Sequence, residues 1–238
     1  MEFNAKQVAA EAAVSFVKSG MVVGLGSGST AEYAIRKIGS LVRLDDLQIT
    51  GIPTSLRTER LAFAEKIPLS TPARHSVIDV TIDGADEIDP EFNMIKGGGG
   101  AHFREKIIAS MTRKEIIVVD ESKCVEVLGV RFPVPVEVVP FAAATVSRKL
   151  EAMGAQVTVR PEKKAARAAD EPSFFFTDNG NVVLDCKFPR IADPKALEKE
   201  INSIRGVVEN GLFVGLAHLL CIGTKSSPKA ILQEKPPR

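Results

Sequence analysis

MVVGLGSGSTAEYAIRKI, residues 21–38, is the stretch whose reading decides the fold. MVVGL at 21–25 reads as a short buried strand. A Gly/Ser loop follows directly, and a helical stretch runs from about Thr30 to Arg43. A helix N-terminus has unpaired N–H groups and a partial positive charge. Glycines let those amides approach an anion closely, and Ser27, Ser29 and Thr30 add hydroxyl donors. GLGSGST, residues 24–30, therefore makes a good phosphate cradle; the plainer reading is a strand-to-helix turn with no ligand. A dinucleotide fingerprint wants glycine at 24, 26 and 29. Position 29 is serine, while Asp45 or Asp46 lies at about the distance of a ribose-binding acid, so this alternative is weakened and stays open. No Walker lysine is present, which argues against a nucleotide triphosphatase.

The same alternation extends outward from this unit. Residues 4–18 carry Val8, Ala12 and Phe16 at helical spacing. LQITGI at 47–52 reads as a strand, and Ser55 caps a helix to about Lys66. SVIDVTIDGADEID at 76–89 begins as a strand and ends in acids. A glycine run then opens a helix over about 101–112, and EIIVVD at 115–120 is the next strand. Such alternation predicts parallel strands with helices on both faces.

The character changes at GVRFPVPVEVVPF, residues 129–141, whose three prolines exclude a long helix and mark a domain boundary. Beyond it come a strand near 134–139, a helix from Ala142 to Met153 closed by Gly154, and the strand AQVTVR. FFFTDNGNVVLDC reads as a hairpin around Asp178-Asn179-Gly180. Asp193-Pro194 starts a helix, and GVVENGLF supplies a last strand. Strand-helix-strand-strand-helix-strand is the ferredoxin-like order. HLLCIGTK at 218–225 then returns to the first sheet. The sequence thus splits into 1–129 plus 207–238, with an inserted α+β domain at 130–206. PEKKAARAADEP at 161–172 reads as a polar, exposed loop.

Composition narrows the function classes. The protein has 238 residues, 45% hydrophobic and 26% charged, an ordinary soluble globular balance. No apolar run reaches the 18 or so residues of a membrane helix, and the N-terminal stretch lacks a signal-like apolar core. Lys plus Arg number 31 against 30 Asp plus Glu, which gives no global attraction to nucleic acid or an anionic membrane. Any anion must be held by a local site. Cys124, Cys186 and Cys221 are widely spaced and odd in number, as expected of reduced cytosolic thiols. His75, His102 and His218 lie far apart in sequence, so a histidine metal site has little support.

Two further motifs carry chemistry. TIDGADEID, residues 81–89, places Asp83, Asp86, Glu87 and Asp89 at the carboxyl end of a strand, where ligands of α/β sheets bind. Gly84 permits a turn that aims Asp83 and Asp86 at one cavity. Carboxylates so placed suit a divalent metal, the hydroxyls of a sugar, or only solvent. IKGGGGAHFREK, residues 95–106, sets Lys96 before four glycines and Glu105 one turn into the next helix. Bare backbone lets a ligand lie against the loop, with a cation on one side and a carboxylate on the other. Glu105 shares a helix face with Ala101, Ile108 and Thr112, where partial desolvation would make a better base; the plainer reading is a solvated helix glutamate, although Ala109 and not a lysine stands four residues on. Lys123, just past a strand end, is placed either to reach the same cavity or to remain on the surface. A base, a lysine, two aspartates and a phosphate cradle suit aldose–ketose isomerisation, which moves a proton between adjacent carbons through an enediolate and needs no redox cofactor.

At this point the residues resemble ribose-5-phosphate isomerase of the A type. The matching segments are GLGSGSTAEYAIRKI, TIDGADEID, MIKGGGGAHFREKIIA, VVDESKCVEVLG, PVPVEVVPFA, FTDNGNVVLDC and GVVENGLF, and they run through nearly the whole sequence. The resemblance implies reversible conversion of D-ribose 5-phosphate to D-ribulose 5-phosphate in the non-oxidative pentose phosphate pathway, without metal or other cofactor. It implies a Rossmann-like parallel-sheet domain with an inserted ferredoxin-like α+β domain, in a cytoplasmic homodimer or homotetramer. Glu105 then corresponds to the proton-transferring base and Lys96 to the group that stabilises the enediolate oxygen. By the same resemblance Asp83 and Asp86 would bind hydroxyls and assist ring opening. The resemblance also implies that Ser27, Gly28, Ser29 and Thr30 hold phosphate and nearby atoms, with Lys6 on the phosphate side. Gly84, Ala85, Gly97, Gly98, Gly99 and Lys123 complete the substrate site. Ser27 stands where such proteins commonly carry threonine. His102 and Phe103 replace smaller or aliphatic residues; packing accounts for Phe103, and the sequence offers no role for His102.

Overall fold

A computed structural model describes residues 2–162 and 174–235. From residue 163 on, the polar loop read at 161–172 lies outside the described residues. The first half runs α1 (Ala5–Val14), β1 (Val22–Leu25), α2 (Ala31–Leu44), β2 (Thr50–Pro53), α3 (Leu56–Ala64), β3 (Ile78–Asp83), β4 (Glu87–Ile88), β5 (Met94–Ile95), α4 (His102–Ser110) and β6 (Thr112–Asp120). The second runs β7 (Val134–Val138), α5 (Ala143–Ala152), β8 (Gln156–Val159), β9 (Val182–Lys187), α6 (Pro194–Asn202), β10 (Val207–Asn210), β11 (Leu212–Phe213), β12 (Leu219–Gly223) and β13 (Ile231–Glu234). Side-chain caps start α1, α3 and α6, whereas Thr30 before α2 makes no such bond. Asn4 accepts from the Gln7 amide, Ser55 from Thr58 and Asp193 from Ala196. Each satisfies a first-turn N–H that the helix itself leaves unpaired.

The main sheet has the order β13-β12-β6-β3-β1-β2. β2, β1, β3, β6 and β12 are parallel, and β13 closes one edge antiparallel to β12. β12 returns to this sheet beside β6, as expected from HLLCIGTK. One face buries Ala9, Ala10 and Ala13 of α1 with Ile35 and Ile38 of α2 against Val23, Leu25, Val80 and Ile116. The other face packs Ala109 of α4 with Ile117, Val119, Phe213 and Leu220. Strands covered on both faces read as continuous apolar runs, which is why VVGL and IIVV were legible as strands.

A second sheet has the order β10-β7-β9-β8, every pair antiparallel, with α5 and α6 contributing Val146, Leu150 and Ile201 to its core. β10, beyond the division expected at 206/207, belongs to this sheet: pairing of Glu209 with Glu137 and of Asn210 with Val136 carries the sheet through residue 210. The hairpin expected in FFFTDNGNVVLDC is half formed. β9 is a full strand, while Phe174 and Phe176 make only isolated bridges, to Pro161 and Val182. The turn itself is tight, with Gly180 at φ 78° and its amide bonded to the Thr177 carbonyl. A third, three-stranded sheet, β11-β5-β4, was not anticipated. Its strands have two residues each, too short to show any periodicity.

Candidate active site

β2 and β3 lie on opposite sides of β1, so the strand order reverses at β1/β3 and a crevice opens past their carboxyl ends. The 26–30 loop leaves β1 there, and Asp83 ends β3. A side chain at Gly26 would put Cβ 2.5 Å from the Asp83 Cα, so only glycine lets the two strand ends approach. Asp83 Oδ1 then accepts from the Ser27 amide at 3.0 Å and the Gly84 amide at 2.7 Å. The Ser27 hydroxyl is ringed by those of Thr54 (2.8 Å), Ser55 (2.7 Å) and Thr58 (3.2 Å), which tie the loop to the start of α3.

The third sheet positions the lysine. β5 is held between β4 and β11, and the Lys96 amide donates to the Gly211 carbonyl at 2.9 Å. Its side chain is buried, with Nζ 3.0 Å from Asp83 Oδ2 and 3.3 Å from Glu105 Oε2. Nζ also donates to the Gly84 carbonyl and stands 5.3 Å from the centre of the Phe213 ring. Glu105, one turn into α4, is 6% exposed. Burial first, then the neighbouring Asp83, pushes its carboxyl up to about 8, against the pull of Lys96. Burial likewise raises Asp83. Lys96 stays protonated: Asp83, Glu105 and Glu115 outweigh the burial that opposes its charge.

The cavity above this cluster has a volume of about 140 Å³. Lys6, Ser27 to Thr30, Gly84 to Asp86, Lys96 to Gly99, Glu105 and Lys123 line it, so nearly every residue selected from the sequence comes together. Lys6 reaches the cradle directly, with Nζ 2.9 Å from Ser29 Oγ. Asp86 Oδ2 accepts from the Gly98 amide at 2.7 Å. Two selected residues sit differently from expectation. Asp83 does not reach the cavity wall; it lies beneath Lys96, 1% exposed, and its oxygens face Lys96 and two amides. Ser27 lines the wall, but its N–H and hydroxyl are engaged by Asp83 and the hydroxyl ring.

The acidic motif splits in two. Glu87 is buried facing away, accepting from the amides of Gly129, Arg131 and Phe132. Asp89 closes its own turn through the Glu91 and Asn93 amides. Among the described residues no group of three or more His, Cys, Asp or Glu side chains is placed to hold a metal ion. The dinucleotide alternative loses its acid: Asp45 caps the far end of α2, about 20 Å of helix from the loop, and Thr54 stands at the end of β2.

Several residues at the site escaped sequence reasoning. Glu115, at 1% exposure in β6, is pushed well up by burial and then by Asp83. Phe213 lies in the short β11, and Arg160 and Asp185 come from the second sheet. His102 is wholly buried under the glycine loop: a side chain on Gly97, whose φ is +106°, would come 2.6 Å from His102 Nδ1. Burial, then Lys106 and Arg160, lowers the imidazole to about 3, so it packs there uncharged.

Comparison with known proteins gives a consistent result. A family model, ribose 5-phosphate isomerase A (phosphoriboisomerase A), matches residues 50–227. A ribose-5-phosphate isomerase A of Thermosynechococcus vestitus is 51% identical over 219 residues, 92% of this chain and 90% of its own. One of Methanothermobacter thermautotrophicus is 48% identical over 228 residues, covering 96% and 97%. Among solved structures, ribose 5-phosphate isomerase A of Methanocaldococcus jannaschii superposes with a TM-score of 0.89 at 42% identity, covering 97% of this chain and 98% of that one. A D-ribose-5-phosphate isomerase in complex with phospho-erythronic acid superposes with a TM-score of 0.91 at 38% identity, covering 98% and 100%.

Proposed function

The chain belongs to the ribose 5-phosphate isomerase A family and is an isomerase, and from that premise we propose how its own residues perform the reaction. The linear, ring-opened form of D-ribose 5-phosphate lies along the glycine loop with its phosphate at Ser29, Thr30 and the start of α2, between Lys6 and Lys123. Glu105 removes the proton from C2 and returns it to C1, while the O2 hydroxyl proton passes to O1, so that the C1 carbonyl becomes a hydroxyl and C2 the carbonyl of D-ribulose 5-phosphate. Lys96 holds the negative oxygen of the enediolate between these steps. Asp86 binds a substrate hydroxyl and assists ring opening. Asp83, out of contact with the cavity, orients Lys96 instead. The observation that carries the reading is the contact of Lys96 Nζ with Glu105 Oε2 at 3.3 Å in a cavity also lined by Ser27 to Thr30. A base and an oxyanion-holding cation must share one small substrate, and here they share one cavity. The acid bound by the solved relative fits this chemistry, since its planar carboxylate has the shape and charge of an enediolate.

The same reading assigns the reaction to the non-oxidative pentose phosphate pathway in the cytosol and the working form to a homodimer or homotetramer. It takes the parallel sheet with its helices as a Rossmann-like catalytic domain, residues 1–129 and from 211 on. The antiparallel unit becomes an inserted ferredoxin-like domain at 130–210. No metal or other cofactor enters the mechanism.

The test is direct: purified protein and ribose 5-phosphate alone, with ketose formation followed against pH in the presence of a chelator. We expect turnover under these conditions. Glu105 must be ionised to accept a proton, and its carboxyl is raised to about 8. Consequently kcat/KM should climb with pH toward 8 and level off above it. Absence of ketose formation, or restoration by a divalent metal, would overturn the proposal. A profile already flat from pH 5 would remove Glu105 as the base.

A further inference from the structure

Arg160 comes from the second sheet, just beyond β8, yet its guanidinium is buried against the loop that follows Lys96. Nη1 donates to the carbonyl of Gly97 at 2.8 Å and to that of Gly98 at 3.2 Å. Its remaining donors grip Asp185 of β9 in a two-pronged pair, Nε to Oδ2 at 2.9 Å and Nη2 to Oδ1 at 2.5 Å. Thr158 is the register partner of Asp185, so Arg160 and Asp185 are diagonal neighbours on one face of the β8–β9 pair. The Phe175 ring, 5.7 Å from the guanidinium carbon, packs against Gly100 at the end of the same loop. The guanidinium is therefore fixed by Asp185, not free to follow the loop.

Two consecutive carbonyls pointing at one cation constrain the two peptide planes that contain them. In a trans peptide the N–H points opposite the C=O. The Gly97 carbonyl shares its plane with the Gly98 amide, and that amide donates to Asp86 Oδ2 on the cavity side at 2.7 Å. The Gly98 carbonyl shares its plane with the Gly99 amide, and Gly99 lines the cavity. A buried cation on the carbonyl end also polarises each unit, strengthening its N–H as a donor.

We infer that Arg160, braced by Asp185, is a positioning residue for the isomerisation: it holds the 97–99 backbone with its N–H groups facing the substrate, so that the Gly98 amide fixes Asp86 and the Gly99 amide donates to a substrate oxygen. The second sheet thereby becomes part of the catalytic apparatus. The inference rests on the isomerase reading of the cavity. It goes beyond that reading by giving the inserted unit a task in turnover.

Arg160→Ala, Arg160→Lys and Asp185→Asn are compared with the wild type for kcat, KM, affinity for inorganic phosphate and thermal unfolding. Wild-type turnover of ribose 5-phosphate in the same assay tests the isomerase reading separately. We expect Arg160→Ala to lose about tenfold to a hundredfold in kcat, the size of an ångström-scale misplacement. Phosphate affinity should stay within about twofold, because the cradle lies on another loop. Arg160→Lys should remain impaired, since an ammonium cannot grip a carboxylate and two carbonyls in one plane. Added guanidinium ion should restore part of the turnover of Arg160→Ala. If that variant does not fold, the isosteric Asp185→Asn carries the test, with the same split between kcat and phosphate affinity. Turnover within about twofold of the wild type, or phosphate affinity falling in step with kcat, would overturn the inference.

Discussion

Glu105→Gln is expected to lower kcat by about 10²- to 10⁴-fold, the usual contribution of a positioned general base, while substrate still binds. The amide keeps the volume of the acid and can still approach Lys96, but it cannot take a proton from C2. The fold should tolerate the change, because the buried carboxyl is already held largely protonated at neutral pH by its surroundings. The sign of the stability effect follows from the same shift. The folded value, about 8, lies above the ordinary 4.5, so the stability this group contributes is full below pH 4.5 and lost as pH rises through about 8. The glutamine variant lacks that titration. Its unfolding temperature relative to the wild type should therefore rise across the interval and stop rising above it. Unchanged turnover would remove Glu105 from the reaction.

Lys96→Met should have an effect of similar size by a different route. In the proposed mechanism the ammonium stabilises charge that is largest on the enediolate, so about 10²- to 10³-fold should be lost from kcat, with a smaller change in KM. A second signature is specific to this geometry. Lys96 is the group that holds the Glu105 carboxyl down against burial and Asp83. Removing it pushes that carboxyl further up, so the remaining activity should shift to higher pH. The variant also leaves Asp83 without the cation that its buried Oδ2 faces at 3.0 Å, and a large loss of stability should accompany the kinetic change. A defect confined to KM, with an unmoved pH profile, would contradict the assignment.

The parts of this site legible in the sequence are those where backbone chemistry leaves a local mark. The glycines of GLGSGST and IKGGGG announce close approach, and Asp83 at the end of an apolar run announces a strand terminus. What remained hidden depends on the fold bringing distant segments together. Glu87 and Asp86 are adjacent in sequence, yet alternation along the backbone sends one to the amides of Gly129, Arg131 and Phe132 and the other to Gly98. Asp83 carries the right chemistry but lies one layer deeper than its motif suggests. Arg160 and Asp185 are ordinary charges on ordinary strands until the second sheet is laid against residues 97–100. The arm read at 174–176 failed as a strand because it bridges neighbouring segments only at single residues, although phenylalanine favours extended structure. β10 and β11 were read as one strand, whereas Gly211 lies between them, its amide bonded to the Pro135 carbonyl.

The central claim is that a buried carboxyl carries one proton between C1 and C2 of a sugar phosphate. It is tested most directly by following ribose 5-phosphate labelled with deuterium at C2 through a single turnover, in the wild type and in Glu105→Gln. The account predicts slower reaction of the labelled sugar, loss of part of the label to water, and near-silence from the variant. Complete retention of deuterium at C1 of the product, with the variant turning over as fast as the wild type, would contradict it.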